Sequence, residues 1–96
     1  MKYVLFYDPA DGPADDVTDR ARQHFAAHRA RWSQFSERGS LLLIGPFTDG
    51  SGAMAVFTTR EAAEEFARQD PFVAHGVVSG WSVREWNEAL MNADDA

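Results

Sequence analysis

His28 sits inside an otherwise apolar helical stripe, and Asp70 stands at the end of a helical run, directly before Pro71. An imidazole among apolar neighbours needs partners for both ring nitrogens, because an unpaired buried polar group costs about 1–3 kcal/mol. A carboxylate at a helix C-terminus faces the negative end of the macrodipole, unfavourable by roughly 0.3–1 kcal/mol. Each residue lacks what the other has. A carboxylate on one ring nitrogen fixes the imidazole tautomer and leaves the second nitrogen to take or give a proton. That is acid–base chemistry, and His28 and Asp70 are its candidate catalytic residues.

Both residues also have plainer readings. A core histidine bonded to a backbone carbonyl would satisfy His28, and Asp-Pro is a common way to stop a helix and open a turn. His24 and His28, four apart, have the spacing of a helical zinc pair, but residue 25 is Phe where a metalloprotease places Glu. No spacing fixes a third ligand, so no metal is expected. GPFTDGSG (45–52) lacks the P-loop Lys and the G-x-G-x-x-G order, and no serine stands in a nucleophile elbow. Trp32 and Phe47 are candidates to line a substrate pocket, with His75, in the loop after Asp70, as a third. Proton transfer of this kind needs no cofactor, and none is expected.

Composition narrows the partners. The 96 residues are 45% apolar, with seven Phe, three Trp and two Tyr, enough for one domain with one core. Net charge is −6, and the arginines are scattered among acids with no basic stripe. Nucleic acid and anionic membrane surfaces are therefore not expected as partners. There is no cysteine, which removes disulfides, iron–sulfur clusters and thiol nucleophiles together. The opening MKYVLFYDPADG is too short for a signal-peptide core, and no stretch approaches a membrane span, so a cytoplasmic protein is expected.

The elements that must position the pair read clearly. KYVLFY (2–7) is a β-branched and aromatic strand stopped by the turn residues DPADGP. From Asp15 to Gly39 the bulky positions Val17, Ala21, Phe25, His28, Trp32 and Phe35 recur at steps of three and four, one face of a helix. SLLLIGPF and AMAVF (53–57) are two further strands around the turn TDGSG. In TTREAAEEFARQ the spacing of Thr58 and Glu61 suggests a capping box, ahead of the apolar face Ala62, Ala63, Phe66, Ala67. VVSGWSVREW (77–86) is a last strand with Val77, Trp81 and Val83 on one side, and NEALMNADDA offers a final helical turn. The order β-α-β-β-α-β is a ferredoxin-like α+β sandwich, with both helices on one sheet face. The other face, lined by two-sided apolar strands such as LLLI, is expected to be covered by a second copy.

The succession of pieces resembles the YciI-like (YCII-related) family of small dimeric α+β barrel proteins. The resemblance runs over nearly the whole chain. It rests on the first strand, His28 eleven residues before Gly39, GPF at 45–47, Gly50 and Gly52 in a hairpin, EAAEEFA, DPF at 70–72, Gly76 and a last strand ending in Trp86. It implies a ferredoxin-like fold dimerising through its sheets and a His–Asp active-site pair at His28 and Asp70. One class of relatives eliminates halide from a chlorinated hydroxyquinone, and muconolactone isomerases look structurally similar. Arg29 follows His28 where the family usually has an apolar residue. The expectation is a cofactor-independent lyase or isomerase acting on a small cyclic or aromatic molecule. The alternative is a non-catalytic dimeric module that binds a small ligand or a partner protein.

Overall fold

β-branched and aromatic runs become strands, and the three-and-four periodicity becomes helix, in the order β1 (Lys2–Pro9), α1 (Ala14–Glu37), β2 (Leu41–Pro46), β3 (Ala53–Phe57), α2 (Arg60–Gln69), α3 (Pro71–Ala74) and β4 (Val78–Trp86). These come from a computed structural model in which residues 1–89 are described. Most of the helical turn expected in NEALMNADDA lies outside the described residues. The four strands lie in the order β2-β3-β1-β4, every neighbouring pair antiparallel. This is the ferredoxin-like α+β arrangement. No helix among the described residues is long and apolar enough to cross a membrane.

The core lies between the sheet and the helices. Leu5 pairs across the sheet with Ala55 and Val83, and Phe57 with Tyr3 and Leu41. Leu5, Ala55 and Phe57 are buried in one cluster with Phe35 of α1 and Phe66 of α2. Phe35 and Phe66 meet edge to face, their centroids 5.3 Å apart, a favoured aromatic geometry. On the opposite sheet face Val4 pairs with Val56 and Phe6 with Met54, and Trp86 ends the row half exposed.

Helix ends follow local chemistry. α1 closes in a Schellman motif: Gly39 N–H donates to the Ser36 carbonyl and Ser40 N–H to that of Phe35, with Gly39 at φ +79°. The cap of α2 falls one residue later than the expected box. Thr59, not Thr58, accepts the Ala62 N–H at 3.1 Å, which leaves Glu61 in the first turn facing the positive helix end. The segment after Asp70, which reads as loop in the sequence, forms the short helix α3. At the other edge, the register slips between Asp8 and Pro9, so Val78 rather than Val77 joins Trp81 and Val83 against the core. Val77 is buried just ahead of the strand.

The β2–β3 hairpin is tied to β1 at one glycine. Gly52 has φ +123°, and a β-carbon there would lie 2.1 Å from the carbonyl oxygen of Tyr7. Its own carbonyl accepts the Phe47 N–H at 2.8 Å, which closes the hairpin. Only glycine meets both demands. Gly52→Ala should therefore destabilise the fold by more than about 1 kcal/mol, a fall in Tm of roughly 4–8 °C or more for a chain of this size. A thermal melt followed by circular dichroism checks this; an unchanged Tm would mean that the hairpin moves off β1 freely.

Candidate active site

α1 carries His28 on its inward face, and the break between α2 and α3 carries Asp70 beneath it. Asp70 leaves the helical region, with φ −70° and ψ 127°, as the Pro71 ring requires of its predecessor. That bend makes it the N-cap of α3, and its Oδ1 accepts the Phe72 N–H at 3.1 Å. Oδ1 also lies 2.8 Å from His28 Nδ1. The two sequence-level oddities thus answer one another, and the helix-stop reading of Asp70 holds as well.

A third partner was not foreseen. The Tyr7 hydroxyl, from β1, donates to Asp70 Oδ2. Asp70 is fully buried, so its charge is bearable only because both oxygens accept hydrogen bonds, from Tyr7, His28 and the Phe72 amide. Burial, followed by the neighbouring Asp70 charge and the bond to it, pushes the Tyr7 phenol far above its ordinary range. The sequence holds a signal for Tyr7, which alternates in phase with Leu5 on the strand face that meets the helices. No spacing rule, however, links residue 7 to residue 70.

The cation suited to the C-terminal end of α2 is Arg31, one turn beyond His28. Its guanidinium donates to the carbonyls of Glu65 and Phe66 at 3.2 and 3.1 Å. It also lies over the rings of Phe35 and Phe66. Its charge draws the Tyr7 phenol back toward ionisation, opposing burial. Arg31 is a brace for α2 rather than a group in the cavity wall.

Aromatic rings set the imidazole plane. His28 stacks on Phe72, centroids 3.9 Å apart and planes 10° from parallel, and meets Trp32 edge-on at 5.2 Å. With Nδ1 on an oxygen that accepts elsewhere, Nδ1 is the donor and the neutral ring keeps its lone pair on Nε2. Nε2 has no protein partner among the described residues. His28 lines a cavity of about 480 Å³, walled also by Trp32, Phe47, Phe25 and Phe72, with Tyr7 on the sheet side. The cavity accounts for a departure from the helical stripe. Only His28 and Phe35 of α1 are fully buried, because Val17, Phe25 and Trp32 wall an open space.

Of the candidate pocket residues, Trp32 and Phe47 stand in this wall and His75 does not. His75 is exposed and lies flat on His24, ring centroids 3.7 Å apart and planes 3° from parallel. The short α3 turns it away from Asp70 and toward α1. Parallel rings hold their lone pairs in separate planes, so His24 and His75 do not converge on one ion. His24 and His28 likewise face different partners. Among the described residues no three His, Asp or Glu gather in a way that would hold a metal.

Comparison with known proteins agrees with this architecture. The chain is 33% identical over 103 residues to protein YciI of Escherichia coli O6:H1, covering 94% of this chain and all of that one. The same figures hold for protein YciI of Shigella flexneri. The fold is shared with a 5-chloro-2-hydroxyhydroquinone dehydrochlorinase from Burkholderia phenoliruptrix, solved in complex with 2,5-dihydroxybenzoquinone. The TM-score to it is 0.68 at 18% identity, over 93% of this chain and 96% of that one. A YCII-related domain matches residues 1–87, and with these relatives it places the chain in the YCII-related family.

Proposed function

We propose that the protein is a small enzyme of lyase or isomerase type, in which His28 moves a proton on a small cyclic or aromatic substrate. One observation carries this reading. The Nδ1 edge of His28 is held by a buried carboxylate, while the ring lines a cavity of about 480 Å³. Ligand pockets commonly span about 300–1,000 Å³. A dry, fully packed imidazole would have favoured the non-catalytic module. The dehydrochlorinase of shared fold is named for a chlorinated, hydroxylated ring, which is the kind of molecule this space suits.

The chemistry follows from the tautomer. Nε2 takes a proton from a saturated ring carbon, which a hydroquinol provides in its keto tautomer, and the electron pair of that C–H bond becomes a new double bond. In elimination the leaving group departs from the neighbouring carbon with its own bonding pair. In isomerisation the proton returns from Nε2 to a different carbon of the same molecule. As His28 becomes an imidazolium, Asp70 at 2.8 Å stabilises its charge without itself taking the proton. Tyr7 and the Phe72 amide keep the carboxylate in place throughout.

Deuterium exchange provides the test. Cyclic ketones and halogenated hydroquinols incubated with the protein in D2O should show carbon-bound exchange or loss of halide by NMR. His28→Gln should cut that rate by about 10²–10⁴ while the fold persists. Asp70→Asn presents an amide N–H to Nδ1, favours the tautomer protonated on Nε2, and should lower the rate with less effect on binding. Turnover that survives in His28→Gln would overturn the assignment.

The Tyr7 shift gives a pH expectation. A phenol whose pKa is raised by folding contributes stability that is intact below the unfolded value, near about 10, and declines above it. Alkaline titration at the phenolate absorbance should leave Tyr7 un-ionised until the chain unfolds. A Tyr7 that ionises in the folded protein near pH 10 would contradict its burial against Asp70.

We also propose a homodimer, with the second copy covering the sheet face opposite the helices. Val4, Phe6, Met54 and Trp86 lie there on adjoining strands around a shallow groove, a mainly apolar surface that Arg84 and Glu85 border. Light scattering should report a mass twice the 10.7 kDa of one chain. A monomer at micromolar concentration would overturn it, and Phe6→Glu should shift a true dimer toward monomer.

A further inference from the structure

The cavity beside His28 has a wall without charge. Among the described residues that line it there is no Arg, Lys, Asp or Glu; the polar side chains are Tyr7, Thr18, His28 and the indole of Trp32. Tyr7 is already committed to Asp70. Two of the guanidinium groups of α1 are committed elsewhere, Arg31 to the carbonyls of α2 and Arg20 to the Gly76 carbonyl at 3.3 Å, and no arginine of α1 lines the cavity. A positive charge gained by His28 is opposed at once by Asp70 at 2.8 Å. The chain as a whole carries a net charge of −6.

An anionic group entering such a space would lose water and gain no counter-charge, a penalty of several kcal/mol when it is fully enclosed. Hydroxyl and carbonyl groups have no such difficulty, because Nε2 of His28, the Thr18 hydroxyl and the indole N–H provide acceptor and donor positions. Flat apolar walls from Phe25, Phe47 and Phe72 suit a ring. The volume, about 480 Å³, is well above the ~150 Å³ that suffices for benzene. Resting on the function proposed above, we infer that the substrate is a hydroxylated or keto ring bearing neither carboxylate nor phosphate. The cavity thereby selects against the carboxylated ring acids and lactones that would otherwise fit its size.

The test uses two probes that differ by one carboxylate, hydroquinone and 2,5-dihydroxybenzoate, titrated into the full chain and followed by the His28 imidazole and Trp32 indole NMR signals. Hydroquinone should move both signals, and 2,5-dihydroxybenzoate should bind at least about tenfold more weakly. Thr18→Arg, which adds a cation at the exposed rim in place of one hydroxyl, should tighten the carboxylate by about two- to fivefold relative to hydroquinone. Equal or tighter binding of 2,5-dihydroxybenzoate to the native chain overturns the charge selection while leaving ring binding at His28 intact. If neither probe moves either signal at millimolar concentration, ring binding itself is overturned, and the charge selection with it.

Discussion

A single carboxylate with no access to water organises the middle of this fold. Asp70 is fully buried, and an ion in that position is tolerable only when both of its oxygens meet donors. The donors come from three separate places: the first strand through Tyr7, the long helix through His28, and the backbone of α3 through the Phe72 amide. Satisfying one charge therefore fixes how β1, α1 and the α2–α3 break sit relative to one another. The orientation of the imidazole is a by-product of that requirement, sharpened by the stacked ring of Phe72.

Much of this was legible in the residues, for identifiable reasons. The strands and long helix were visible because alternation and the three-and-four period are local properties. His28 and Asp70 stood out because each breaks a local rule, one by being polar within an apolar stripe and the other by facing the wrong helix end. Tyr7 breaks no rule. A tyrosine in a strand is ordinary, and its meaning appears only when residue 70 is brought beneath it. The helix α3 was hidden for a similar reason, since four residues are too few to show a period. Its only sequence mark, Asp before Pro, serves equally as a stop. The cap at Thr59 rather than Thr58 shows how two adjacent threonines leave a one-residue ambiguity that only the backbone resolves.

His75 illustrates the opposite error. Closeness in sequence to Asp70 suggested closeness to the cavity, but a single turn of helix between them reverses the direction of the chain. His75 ends on the outer side of α1, against His24. Arg31 shows that a charge one turn from the candidate histidine need not concern the ligand. Its place is on the exposed carbonyls of α2, a fold-level role that leaves the cavity wall uncharged.

The triple duty of Asp70 also bears on how such a chain changes over time. Replacement by a residue with no acceptor would leave a tyrosine hydroxyl, an imidazole and a helix amide unpaired, so folding rejects such a change before catalysis is tested. Other parts of the cavity wall are under no comparable restraint, because Phe25 is half exposed and Phe47 belongs to a hairpin turn. Such wall residues can therefore change, and with them what the cavity admits, while the buried aspartate and its three partners stay in place. The His28–Asp70 pair reports on how the fold is held together before it reports on any reaction.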